Sequence, residues 1–152
     1  MAEMDAESTD KPDKPAVEAD PRFPSGPWTG FWLQRRMPGR HWMRKLALRF
    51  ADGRVHGQGA DCVGTFTLDG RYDLSSGHVT IHKRYVGAHF VFYDGQNDDD
   101  GRWIWGVWTL RDATGIDRGG FHIWPKAEQD PTARRTSAEQ ELPAGELELA
   151  PV

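Results

Sequence analysis

A chain of 152 residues with 23 acidic against 19 basic side chains, a formal charge of −4 and a pI near 5.8 lacks the basic excess that a phosphate backbone demands. Nucleic acid is therefore not an expected partner, although Arg35, Arg36, Arg40, Arg44 and Lys45 form a local basic run. No apolar run approaches the roughly eighteen residues of a membrane span, and no basic start followed by an apolar stretch opens the chain, so the expected location is cytoplasmic, away from membranes.

From Met1 to Ser25 the residues are mainly Ala, Glu, Asp, Lys and Pro, so ordering this stretch would lose entropy with little burial in return. Residues 1–25 are expected to be a disordered tail. Residues 126–152 have a similar composition and are expected to be a second one, with at most a marginal helix at Ser137–Leu142. Between them, residues 26–125 are rich in aromatic and β-branched side chains punctuated by glycine, which is the composition of short strands.

In chain order, the first run is Trp28–Arg35, where Phe31 and Leu33 alternate with Trp32 and Gln34. Trp42–Phe50 follows, with Leu46, Leu48 and Phe50 on one face. Ala51-Asp52-Gly53-Arg54 predicts a tight hairpin, because Asp-Gly supplies the positive φ angles that a two-residue turn requires. Val55–Ala60 and Val63–Leu68 come next. Asp69-Gly70 repeats the turn signal before Arg71–Leu74, and Ser75-Ser76-Gly77 leads to His78–Tyr85. Val86-Gly87 breaks the chain before Ala88–Tyr93. An acidic loop, Asp94–Gly101, precedes Arg102–Leu110, and Gly119–Trp124 ends the series.

Eight or nine short strands with no crossover helix between them must pair as antiparallel neighbours, in an all-β up-and-down meander. Such a meander leaves two raw edges unless it closes, and Trp103–Trp108 is apolar on both faces. The expected fold is therefore a small closed barrel in preference to a two-sheet sandwich, with Gly57, Gly59, Gly64 and Gly106 easing the bends.

The opening Gly26-Pro27-Trp28-Thr29-Gly30-Phe31-Trp32 resembles the Gly-x-Trp signature on the first strand of calycin-type meander barrels, the avidin and lipocalin architecture. The glycine-punctuated strands and the late Trp103-Ile104-Trp105-Gly106-Val107-Trp108 run are similar to the avidin layout. This resemblance is one of pattern over most of the domain. It implies a barrel holding a small ligand at one mouth, but not biotin, whose polar contacts have no counterparts that can be placed here.

The densest functional side chains lie in 78–93. Val79, Ile81, Lys83 and Tyr85 share one strand face, and His78, Thr80, His82 and Arg84 the other. Two registers follow. If Val86-Gly87 is a two-residue turn, Tyr85 pairs with Ala88, and Phe90 and Phe92 join Val79 and Ile81 in a packed core, as small barrels usually have. If the loop is one residue longer, Tyr85 pairs with His89, and Lys83, Tyr85, His89 and Tyr93 line one face as a polar pocket. The candidate ligand-binding residues are Lys83, Tyr85, His89 and Tyr93 with Gln34, Asp61, Tyr72 and Trp105.

Other chemistry has less support. His78 and His82 stand about 13 Å apart along an extended strand, too far to chelate one ion, and a third ligand would have to come from His89, Asp61 or His122. The acidic loop does not fit a calcium-loop pattern and reads as a solvated hairpin through Asp98, Asp99 and Asp100. No nucleophile elbow, phosphate loop or dinucleotide fingerprint is present. Asp61 and Asp73 form a carboxylate pair only if the fold brings them together. Cys62, the one cysteine, cannot make an internal disulfide, which fits a reducing compartment, and next to Val63 it reads as a small buried thiol. No cofactor or metal is expected. The alternative to a small-ligand site is a protein-interaction module, binding a partner or a second copy through an exposed tryptophan-rich face formed by Trp103, Trp105 and Trp32.

Overall fold

Alternation of apolar and polar residues at a period of two runs through the middle strands, Arg54–Ala60, Thr65–Tyr72, His78–Tyr85 and Phe90–Asn97, and it decides what faces inward there. A computed structural model describes residues 15–97 and 102–134. The strands are β1 (Gly26–Gln34), β2 (Met37–Ala51), β3 (Arg54–Ala60), β4 (Thr65–Tyr72), β5 (His78–Tyr85), β6 (Phe90–Asn97), β7 (Ile104–Asp112) and β8 (Gly115–Pro125). Each pairs antiparallel with the next, and β8 pairs with β1, Trp28 opposite Pro125 and Trp32 opposite Phe121, so the meander closes into an up-and-down barrel. Closure removes the two edges that an open sheet would expose. Among the described residues no helix is long and apolar enough to cross a membrane. One helical turn, α1 (Pro131–Arg134), follows the barrel.

The turns explain where pattern reading and structure part. Asp52 and Gly53 both take positive φ, 51° and 77°, in the expected two-residue hairpin between Ala51 and Arg54. Asp69-Gly70 is not a turn, because β4 runs straight through it to Tyr72. Gly70 instead permits close approach of β5: a Cβ there would lie 1.9 Å from the Thr80 carbonyl oxygen. The actual reversal is Asp73–Gly77, where the Asp73 carboxylate accepts from the Ser75 amide and Gly77 has φ 79°. Asp94–Asn97, expected in the acidic loop, extend β6, while Asp98, Asp99 and Asp100 lie outside the described residues, as does Ser137–Leu142.

Around Val86 the longer loop is the one adopted. Arg84 pairs with Phe90, and the Tyr85 amide donates to the His89 carbonyl at 3.0 Å. A two-residue hairpin turn would need positive φ at Val86, which a β-branched side chain resists. The chain instead turns over Tyr85–Ala88 with Gly87 at φ 74° in the third position. The packed-core register is thereby excluded: Phe90 is exposed and Phe92 half-buried on the outside beside His82, and Lys83, Tyr85 and Tyr93 point inward.

Packing extends past both ends of the strands. Phe23, in the stretch that composition assigns to a tail, is fully buried, and its ring meets those of Tyr72 at 4.8 Å and Phe50 at 5.4 Å. Trp28 joins Phe50, and its indole donates to the Pro24 carbonyl. These four rings plug one end of the barrel. The Glu18 amide donates to the Phe50 carbonyl, and Tyr72 donates its hydroxyl proton to the Glu18 carboxylate. After β8 the chain lies against the outer face: Asp130 pairs with Arg40, Glu128 with Arg102, and Thr132 is fully buried. Phe31, Trp124, Trp103 and His122 form the outward aromatic layer of that side, which explains why residues after Pro125 are held there. His122 accepts the Trp103 indole proton at Nδ1 while its buried Nε2 has no partner among the described residues, and burial pushes its pKa down to about 4.

Candidate functional site

At the end opposite the four-ring plug, the inward positions of the strands are not all apolar. Lys83 on β5 is completely buried. Its ammonium donates to Asp61 Oδ2 at 2.7 Å and to the Tyr93 hydroxyl oxygen at 3.1 Å, with Met43 Sδ at 3.8 Å. The charge lies 4.2 Å from the Phe66 ring centroid and 4.9 Å from that of Tyr85, with Tyr93 and Trp32 slightly farther. Aromatic faces thus take up the sides of the cation that no oxygen reaches.

Asp61 reaches this cluster from the turn between β3 and β4. Its Oδ1 accepts from the amides of Val63 and Gly64, a local turn that aims the carboxylate inward. Its Oδ2 accepts from Lys83, from the Tyr85 hydroxyl at 2.7 Å and from the Trp32 indole at 3.1 Å. The same turn leaves Cys62 and Val63 at its tip in solvent, so Cys62 is exposed and not the buried thiol that its neighbour suggests.

Burial penalises the Lys83 ammonium more than Asp61 supports it, and the pKa falls to about 8. Burial also works to raise the Asp61 carboxyl, but the Lys83 charge and the hydrogen bonds from Lys83, Tyr85 and the Val63 amide outweigh it, and the group sits below its ordinary range. Burial raises both Tyr85 and Tyr93, and the nearby Asp61 charge adds to it. Both phenols therefore remain protonated donors at neutral pH.

Above this cluster a cavity of about 120 Å³ opens at the mouth, lined by Trp32, Gln34, Met37, Val63, Tyr85, His89, Val91, Tyr93, Trp108 and Leu110. Gln34 donates to Asp117 at the rim, and the His89 ring lies 5.3 Å from that of Tyr85. A larger depression of about 700 Å³ at the plugged end, beside Glu18, Arg71, Tyr72 and Asp73, is an open trough lined mainly by charged and polar residues. Aromatic and apolar walls with a few polar groups are what a small-molecule site needs, so the mouth cavity is the candidate site.

Of the residues singled out from the sequence, Lys83, Tyr85, Tyr93 and Asp61 form one hydrogen-bonded cluster, with Gln34 and His89 on the rim of the same cavity. Tyr72 points inward but at the opposite end, bound to Glu18, with its pKa raised to about 12 by burial and that carboxylate. Trp105 lies on the outer face of β7, stacked on His122 and tilted against Trp103. Asp73 is at the plugged end, away from Asp61. Trp32, expected on an exposed face, is instead buried in the wall, and Met37, Val63, Val91, Trp108 and Leu110, which the sequence did not assign to a site, complete it. Trp108 and Leu110 share one face of their strand by period two, and closure of the barrel makes that face the interior. Among the described residues no three His, Cys, Asp or Glu side chains gather into a metal site.

Comparison of the chain with protein-family models, curated proteins and solved structures finds no match.

Proposed function

We propose that this is a non-enzymatic binding protein that takes a small ligand into the open mouth of its barrel, as its pattern resemblance to calycin-type barrels implies. The observation that carries the reading is the combination of a ring-walled cavity, open at the mouth, with a buried ion pair beneath it. A buried pair is often no more stabilising than apolar residues of the same volume, so a barrel that needed only packing had a simpler solution. The volume is close to the roughly 150 Å³ of a known apolar cavity that holds one benzene ring. The ligand is therefore ring-sized. A reducing, cytoplasmic setting fits the single cysteine, which is exposed.

The alternative, a tryptophan-rich face that docks a protein partner or a second copy, has less behind it: of the seven tryptophans Trp42 alone is exposed. A thermal-shift screen of small ring compounds on the full chain, run beside Val91→Phe, tests the proposal. Binding to the folded state alone raises the melting point. Stabilisation of the wild type that Val91→Phe abolishes supports the mouth site. No stabilisation, or the same stabilisation in both proteins, overturns it.

A further inference from the structure

The hydrogen-bond inventory of the cavity wall leaves one buried donor over. The Trp32 indole donates to Asp61, the Trp108 indole to the Leu33 carbonyl, the Tyr85 hydroxyl to Asp61 and the Gln34 amide to Asp117. The Tyr93 oxygen accepts from Lys83, but among the described residues nothing accepts the Tyr93 hydroxyl proton. A buried donor without an acceptor is unfavourable, and this one lies on the wall of a cavity. The ammonium that donates to the same oxygen polarises the O–H bond and makes it a stronger donor.

The surrounding charges restrict what can accept that proton. Asp61 already accepts from five donors, so it has little left with which to hold a cationic ligand, and Lys83 would repel one. An anionic oxygen beside Tyr93 would meet the burial and the Asp61 charge that keep the phenol itself from ionising. A neutral acceptor escapes both penalties. Resting on the reading of the mouth as a ligand site, we infer that the cavity selects an uncharged, ring-sized molecule whose carbonyl oxygen accepts the Tyr93 hydroxyl proton.

Four probes of matched shape test this on the full chain: acetophenone, ethylbenzene, benzoate and benzylammonium, titrated against the intrinsic tryptophan fluorescence to which Trp32 and Trp108 contribute. Acetophenone is expected to bind at least tenfold more tightly than ethylbenzene, benzoate or benzylammonium. Tyr93→Phe is expected to reduce acetophenone to the level of ethylbenzene while ethylbenzene is unchanged. The infrared carbonyl band of acetophenone bound to the wild type provides a readout independent of any variant, and it is expected below its position in an alkane. If acetophenone and ethylbenzene bind equally and the band stays at its alkane position, the cavity is a ligand site and the carbonyl inference alone is overturned. Tighter binding of either charged probe also overturns it. Failure of acetophenone and ethylbenzene alike to bind the wild type overturns both this inference and the mouth site.

Discussion

The two ends of this barrel are made by the same eight strands and the same alternation, yet one is shut and the other is hollow. At the shut end Phe23, Trp28, Phe50 and Tyr72 fill the interior ring against ring, and the two polar atoms among them, the Tyr72 hydroxyl and the Trp28 indole nitrogen, are engaged by Glu18 and the Pro24 carbonyl. At the open end the inward positions include Lys83, Tyr85 and Tyr93, a carboxylate enters from a turn, and about 120 Å³ is left above them. The exposed apolar side chains differ too. Met37, Val63, Val86, Phe90 and Ile116 stand on the loops or strand starts of the four hairpins at the open end, with Val86 and Phe90 sharing one hairpin. What separates a plug from a site in one fold is thus whether rings fill the interior to its end or stop short of it above a hydrogen-bonded polar cluster.

The largest expected effect breaks the shut end. A chain starting at Gly26 loses Phe23 and Glu18 together, and Phe23→Ala alone is expected to cost about 3–5 kcal/mol in urea unfolding, the range for a large aromatic removed from a core. An unchanged unfolding midpoint for the shortened chain would mean that the ring plug contributes nothing and that the ends differ in appearance only. At the open end Lys83→Met is expected to cost about 3 kcal/mol, the low side of the range for breaking a buried pair, because Asp61 keeps its bonds to Tyr85, Trp32 and two amides. Adding Asp61→Asn to Lys83→Met removes the orphaned charge and should recover part of the loss. A single Lys83→Met that is neutral or stabilising would show that the pair is not formed.

How far this contrast could be read without a structure depends on what alternation encodes. Period two assigns Lys83, Tyr85, Val79 and Ile81 to one face from sequence alone, and closure of the meander follows from strand count and the absence of crossovers. Alternation says nothing about height along the barrel, which is why Tyr72, inward as Tyr85 is, falls at the other end. Nor does it say which face is inside when both are apolar, which is why Trp105 lies outside and Trp108 inside. The register that brings Tyr93 to Lys83 turns on whether Val86 tolerates positive φ, a local steric fact that a two-residue break disguises. Phe23 is one large side chain in a polar stretch, and composition averages it away.

Alkaline titration sharpens the comparison, because the ends carry different ionisable groups. The folded-state pKa of Lys83, about 8, is below the 10.5 of the unfolded chain, so between those values the unfolded state binds the extra proton and stability rises with pH. The slope approaches about 1.4 kcal/mol per pH unit for one group. Tyr72 has the opposite sign: raised to about 12 from 10, it keeps its proton in the fold while the unfolded phenol ionises, and stability falls above pH 10. Tyr85 and Tyr93, also raised, add to that fall. Urea midpoints should therefore rise from pH 8 to 9.5 in the wild type relative to Lys83→Met and decline in both above pH 10. Parallel profiles for the two proteins below pH 10 would remove Lys83 as the source.

The smallest effect on stability falls on the rim, where the comparison predicts a separation between folding and binding. Met37 and Val63 line the cavity yet are 42% and 50% exposed, so each side chain is already largely hydrated in the folded state. Replacing either with Ser therefore gives up little burial, and unfolding should move by no more than about 0.5 kcal/mol, as for most surface changes. A ring held in the mouth, however, would cover these same side chains, and that covered apolar area contributes to affinity at about 25 cal/mol per Å². Met37→Ser and Val63→Ser are thus expected to weaken acetophenone severalfold at nearly constant stability. Leu74, equally exposed at 43% beside the shut end, supplies the matched control, and Leu74→Ser should change neither quantity. Equal loss of affinity from Leu74→Ser and Val63→Ser would mean that the ligand does not distinguish the two ends, and the open mouth would then have no claim over the trough at the other.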